Sequence, residues 1–231
     1  SSHVLVGQPR MLDFEYMRWI AAVLDSHIQT HLNPDKLRIT HLGGGACSLA
    51  RYCADVYPNS RNTVVELDAK LAEHVRDWFD IPKSPRVKIR VGDAGTVTRS
   101  FAPASRDVVI RDVFAVDKTP AELTSVDFVR EVDHSLAPGG LYILNCGDGP
   151  SLDGARAEVA ALFEVYEQVC LVADAAMLKG RRRGNIIIAA SHSPLPAAGS
   201  AEAAAISRTL MGGGVPAQYR DSAQTRQFAR L

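Results

Sequence analysis

The sequence is short of the features that most quickly assign a protein. Its four cysteines, Cys47, Cys53, Cys146 and Cys170, form no CxxC pair, and its seven histidines are scattered without ligand-like spacing. A zinc site and a disulfide framework are therefore not indicated, no metal is expected, and a reducing cytoplasm is the expected compartment. No apolar run approaches the roughly 18–20 residues of a membrane span, and no signal peptide is visible. An excess of charge is missing too: Lys plus Arg equal Asp plus Glu at 26 each, so the formal net charge is zero. Nucleic-acid binders usually carry a basic excess, and neither a nucleic-acid nor a membrane partner is expected. The chain opens at Ser1-Ser2-His3 without a methionine, which leaves room for a preceding segment.

What is present is a chain of 231 residues, 46% hydrophobic, enough for one sizeable core. From residue 37 onward, apolar β-rich runs alternate with helical patterns. The runs predict strands at 37–42, 63–66, 87–91, 107–112, 140–146, 165–172 and 185–190. Helices are expected at 47–57, 69–79, 120–136 and 152–163, preceded by an amphipathic helix over 12–28. This alternation points to an α/β, Rossmann-like fold, a mostly parallel seven-stranded sheet with helices on both faces. No helix is expected between the last two strands, and "KGRRRG" (179–184) reads as a hairpin loop, making the last strand an antiparallel edge. Its arginines read as solvated. The expected division is a short strand (3–6) and helix in 1–35, a nucleoside-binding domain over 36–192, and a linker, short helix and polar tail over 193–231.

Ligands of doubly wound sheets sit at the carboxyl ends of the strands near the topological switch point. Four successive strand ends carry candidates. The first ends in Gly43-Gly44-Gly45, letting a ligand approach the backbone and the amino end of the next helix. The second ends in "VELD", with Glu66 about 20 residues beyond the glycines, the spacing of an acid that grips a ribose diol. The third ends in "VGDA", offering Asp93 to an adenine amino group. The fourth ends in "VIRDVF", placing Asp112 over the middle of the cleft. Each has a plainer reading: Glu66 or Asp68 as a helix cap, Asp93 as a turn residue, Asp112 paired with Arg111. Together they point to an adenosine-containing ligand. NAD fits less well, because Ser48 stands where a third glycine belongs, and acids after strands three and four suit a cationic nucleoside better than a pyrophosphate. Cys47 and His41 read as packing residues, as do Trp19 and Trp78.

From residue 12 to 191 the sequence resembles the spermidine synthase (polyamine aminopropyltransferase) family, a branch of the class I methyltransferase-like fold. "ITHLGGGACSLARY" is similar to the family's strand and GGGDGG loop, and "TVVELDAKLAEHVRDWF" to its VEID segment. "PRVKIRVGDA" is similar to its GDG/GDA segment, "RDVVIRDVFA" to YDVIIVDSTDP and "DFEYMRWI" to EFIYHEMI. The resemblance implies transfer of an aminopropyl group from decarboxylated S-adenosylmethionine to a small-molecule amine. It implies Asp112 as base and Tyr16 as substrate-contacting tyrosine. Gly43, Gly44, Gly45, Ala46, Glu66, Leu67, Asp93, Ala94 and Asp112 would hold the cofactor, with Gln8, Tyr16 and Asp117 toward the acceptor. A homodimer is a further possibility that the family suggests.

The departures bear on the substrate. The family's acid within GGGDGG is Ala46, its second acid after the catalytic one is Ala115, and its YHE triplet reads Tyr16-Met17-Arg18. Its amino-terminal β-domain is reduced to a trace around Val4–Gly7 and Gln8. Each of the three substitutions removes negative charge around a site meant for a cation. Two alternatives accordingly stand beside aminopropyl transfer: methyl transfer from intact S-adenosylmethionine to a small molecule, and a catalytically inactive homologue that binds the nucleoside.

Overall fold

The computed structural model describes residues 4–115 and 118–231. Helix α1 (Glu15–His31) precedes the sheet and buries Met17, Ile20, Ala21, Leu24 and Ile28, positions three and four apart that share one face. There follow β1 (Arg38–Leu42), α2 (Ser48–Val56), β2 (Arg61–Glu66), α3 (Ala69–Trp78), β3 (Val87–Val91), α4 (Ala94–Arg99) and β4 (Arg106–Arg111). Then come α5 (Val126–Ser135), β5 (Leu136–Asp148), α6 (Asp153–Phe163), β6 (Gln168–Asp174), α7 (Ala175–Leu178) and β7 (Gly184–Ser191). The chain closes with α8 (Ala201–Met211), β8 (Ala217–Arg220) and α9 (Ser222–Ala229). Among the described residues no helix is long and apolar enough to cross a membrane.

The strands form one sheet in the order β3-β2-β1-β4-β5-β7-β6-β8. The pairs among β3, β2, β1, β4 and β5 are parallel, whereas β7 runs antiparallel to both β5 and β6. The α/β class and the mostly parallel sheet with an antiparallel carboxyl-terminal end agree with expectation. Three details differ. The sheet has eight strands, because the expected polar tail supplies β8, which pairs antiparallel with β6, and α9, held by an Asp221–Gln224 capping box. The antiparallel β7 is an interior strand because it inserts between β5 and β6, and the short α7 lies between β6 and β7 in the chain. Residues 4–6 form no strand, and residue 3 lies outside the described residues.

The helix expected over 120–136 splits. A 3-10 turn at Ala121–Thr124 is followed by α5, whose Ser125 side chain accepts from the Phe128 N–H at 3.1 Å and so restarts the helix. Helices pack on both faces. Leu24, Ile28 and Ile206 cover one face with Ile39, Ile110 and Ile143, while Phe128, Val132 and Val159 cover the other with Leu42, Val109 and Leu144. Trp19 is buried as expected, but Trp78 at the end of α3 is exposed and stacks on His74.

The register positions the site. Leu42 pairs with Val65 on one side and with Arg111 on the other, so the next residue of each strand, Gly43, Glu66 and Asp112, shares one row at the carboxyl edge. Because successive strand residues face opposite ways, Arg111 points away from Asp112. Its fully buried guanidinium pairs with Glu158 of α6 at 2.5 Å and donates to the Leu123 carbonyl. The Asp112–Arg111 pair weighed as the plain reading of Asp112 does not form. Glu158→Ala leaves the guanidinium buried and uncompensated, and its unfolding free energy in a denaturant titration is expected to fall by about 3–5 kcal/mol.

Candidate active site

Above the carboxyl edge opens a cleft of about 680 Å³, lined by the glycine loop, Glu66, Leu67, Asp93, Asp112 and the first turn of α1. That volume lies within the usual range for small-molecule sites, about 300–1,000 Å³. The glycine loop turns in a conformation that only glycine adopts without strain. Gly43 has φ +88°, and a Cβ there would sit 2.2 Å from the Asp112 carbonyl oxygen. Gly44 is tight for another reason, since a Cβ would lie 2.7 Å from Val64 Cγ1. Gly43 thus lets the loop after β1 close on the end of β4, and Gly44 lets it close on β2.

Glu66 spans this loop. Its Oε2 accepts from the Gly44 and Gly45 N–H groups, each at 3.1 Å, and its Oε1 accepts from the Asp68 N–H at 2.9 Å. The cap of α3 is Asp68, whose Oδ1 accepts from Lys70 and Leu71. Glu66 therefore does not serve as the helix cap. Asp93 does take its plainer role: it caps α4, accepting from Thr96 N–H at 2.8 Å, and these backbone bonds hold its carboxyl below the usual carboxylate range. It nonetheless lines the cleft beside Ala94. Leu67 is 73% exposed, an apolar side chain left at the rim.

Cys47 begins α2 with φ +58° and no side-chain cap, and burial pushes its thiol up to about 12. Its position at a helix amino end does not activate it. His41 is buried beneath the loop, bonded through Nε2 to Asn62 Oδ1 at 3.0 Å, and burial holds it down to about 4. Ala46 is buried and does not line the cleft.

Asp112 is gripped from two sides. The Tyr16 hydroxyl donates to Oδ2 at 2.9 Å, and Asn145 Nδ2 donates to Oδ1 at 3.0 Å. Loss of solvent raises the carboxyl above its ordinary value, and these two bonds oppose that rise. Burial and the neighbouring charge of Asp112 raise the Tyr16 phenol as well, keeping it a proton donor. The sequence does not single out Asn145. It sits on β5 within an apolar run, where a buried amide is itself a signal, and its Oδ1 has no hydrogen-bond partner among the described residues. Gln8 is exposed and is not among the cleft residues. Asp117 lies outside the described residues. Among the described residues no group of three or more His, Cys, Asp or Glu side chains is placed to hold a metal.

A glycine loop, an acid after β2 and a carboxylate over the switch point, on a sheet ending in the antiparallel β7, define the class I methyltransferase-like fold. No protein-family model matches the chain. A solved structure of a probable spermidine synthase from Corynebacterium glutamicum ATCC 13032 is 59% identical, covers 99% of this chain and 82% of its own, and superposes with a TM-score of 0.97. The chain belongs to the spermidine synthase family. Human methyltransferase-like protein 13, solved in complex with SAH, is 25% identical over 87% of this chain and 94% of its own, with a TM-score of 0.66. The mouse eEF1A lysine and N-terminal methyltransferase is 32% identical over 141 residues, 56% of this chain and 20% of that protein. The chain thus spans about a fifth of the length of that relative. Bacterial polyamine aminopropyltransferases also match.

The raised carboxyl of Asp112 has a consequence for stability. Its folded value lies above the unfolded value of ~3.9, so stability falls as pH rises through that window and the cost is fully present at neutral pH. Asp112→Asn removes the charge, and its Tm at pH 7 is expected to rise by about 1–4 °C, read by calorimetry. A Tm that falls would mean that the carboxylate stabilises the fold.

Proposed function

We propose that the chain transfers an alkyl group, foremost aminopropyl, from an S-adenosylmethionine-type donor to a small-molecule amine. The single observation that carries this is Asp112, a carboxylate at the switch point, held by Tyr16 and Asn145 within the cleft that the glycine loop opens. Family membership supports the donor class, as does the SAH bound by the human methyltransferase-like relative.

The adenosine would lie along the carboxyl edge, its ribose diol on Glu66 and its base between Leu67 and Asp93–Ala94. Glu66 now accepts from two glycine N–H groups, and a bound ribose would compete for the same oxygens. The donor sulfonium then faces Asp112. In the displacement, the amine nitrogen forms a bond to the methylene beside sulfur while the C–S bond breaks and the neutral thioether leaves with both electrons. The amine must first lose a proton, and free in water its pKa lies near that of lysine, ~10.4. Asp112 takes that proton, and its carboxyl, raised by burial, is a stronger base than an exposed one. Tyr16 and Asn145 fix its two oxygens, which supplies orientation as well as basicity.

Methyl transfer from the intact donor is the second reading, and Ala46 favours it. A carboxylate at that position would repel the carboxylate of S-adenosylmethionine, and its loss removes the discrimination.

Calorimetry with S-adenosylmethionine, its decarboxylated form and methylthioadenosine on one preparation separates the readings. Preference for the decarboxylated donor supports aminopropyl transfer, preference for the intact donor supports methyl transfer, and binding of none contradicts the nucleoside site. Glu66→Ala is expected to weaken the bound nucleoside by ~1.5–3 kcal/mol, the worth of a charge-assisted hydrogen bond. In turnover assays, Asp112→Asn is expected to lose activity while keeping nucleoside affinity within a few-fold. The wild-type rate should fall toward acid, with a midpoint above the ordinary carboxylate value, because the base works only when deprotonated. Unchanged turnover in Asp112→Asn removes that residue from the chemistry.

A further inference from the structure

The sheet ends at β8. Among the described residues β8 pairs only with β6, so its other edge carries no strand. In an antiparallel pair every second residue turns its N–H and C=O toward the neighbour, and the residues between turn theirs outward. At the end of that outer row the Arg220 carbonyl takes the Thr225 hydroxyl at 3.2 Å. The edge is the floor of a groove of about 640 Å³ that shares no lining residue with the cleft above the glycine loop. Helix α8 walls it on one side through Met211, and α9 on the other through Gln224, Gln227 and Phe228. The two walls come from opposite faces of the sheet. Ile206 and Leu210 of α8 pack in the layer of α1, whereas Phe228 of α9 packs in the layer of α5 and α6.

Arg220 is the charged residue of this groove, and no acid lines it. It is half-buried, its guanidinium lies 6.0 Å from the centre of the Phe228 ring, and no hydrogen bond or ion pair to that guanidinium is found among the described residues. Loss of solvent lowers its pKa, and no carboxylate raises it. The adjacent Asp221 is committed elsewhere: Oδ1 accepts from the Gln224 N–H at 2.9 Å and Oδ2 from the Ala198 N–H at 2.8 Å. A strand edge between two helical walls thus carries one partly desolvated cation without a counter-charge.

We propose that the β8 groove docks an extended segment of a partner protein, which adds to the sheet as a further strand and sets an acidic side chain against Arg220. Backbone bonds to β8 supply affinity, and the acid supplies selection. A second copy of this chain suits the groove poorly. Its β8 edge would bring a second Arg220 together with its own α8 and α9, so like charges and opposed helices would meet. The plainer role is protective, since a short edge strand bearing a charge resists unwanted pairing. That role predicts no binding of a segment, and self-association once the charge is removed.

The test uses the full chain and two fluorescein-labelled peptides, Thr-Val-Glu-Val-Thr and Thr-Val-Lys-Val-Thr, each with a blocked carboxyl end. Fluorescence anisotropy reads affinity, and amide hydrogen exchange reads location. The glutamate peptide is expected to bind about tenfold more tightly than the lysine peptide, the scale of one charge-assisted hydrogen bond, and to slow exchange of the outward amides of β8. In Arg220→Gln the two peptides should bind alike, with far-UV circular dichroism reporting an intact fold, and Arg220→Lys should keep part of the preference. A glutamate peptide with N-methylated valines, which cannot donate to the edge, should lose binding to the wild type; this arm needs no variant. Equal binding of the two peptides by the wild type, binding without slowed exchange in β8, no binding, or dimerisation through β8 in sedimentation overturns the proposal. None of these readouts involves the donor or the amine, so their outcome stands apart from the transfer reaction.

Discussion

The approach of β1 to β4 at their carboxyl ends is the constraint on which the site depends. The Asp112 N–H donates to the Leu42 carbonyl at 2.8 Å, and the Asp112 carbonyl lies where a Cβ of residue 43 would have to be. Only glycine allows both. Under the proposed function, that contact joins the loop assigned to the nucleoside to the residue assigned to the acceptor, so the two halves of the chemistry share one backbone junction. The same register carries Glu66 into the row. A fixed distance between donor and base is what an in-line displacement needs.

The electrostatics follow from the alternation of strand side chains. Arg111 faces into the helix layer and pairs with Glu158, leaving Asp112 to face the cleft. A neutralising arginine would lower the carboxyl and weaken it as a base. Two neutral donors, Tyr16 and Asn145, hold it in place and oppose the rise that burial gives its carboxyl without cancelling it.

Much of this was legible in the sequence, because glycines, strand-end acids and apolar runs are local signals. The glycine loop, Glu66 and Asp112 fall together where the strand pattern puts them. The rest depends on tertiary context. Asp93 sits at the expected strand end, but the short α4 that it caps is too brief to show a helical period. β8 is four residues long and follows a Gly-rich break, so nothing in its own sequence marks it as a strand, and only pairing with β6 makes it one. The interior place of β7 depends on its pairing with β5 on one side and β6 on the other. Asn145 is invisible as a partner of Asp112 until β4 and β5 are side by side. Arg18 reads as a charge in the site until its bonds to Leu12 and Asp13 show it turned away.

What separates the two readings of the chemistry is the group that moves, and the buried Ala46 leaves that choice to the donor end of the cleft. The most direct measurement is mass spectrometry of the amine recovered after incubation with the protein and an equal mixture of S-adenosylmethionine and its decarboxylated form. The account predicts an acceptor that has gained an aminopropyl group, with methylthioadenosine released in equal amount. An acceptor that gains only a methyl group, or that is recovered unchanged while the nucleoside is bound, would contradict it.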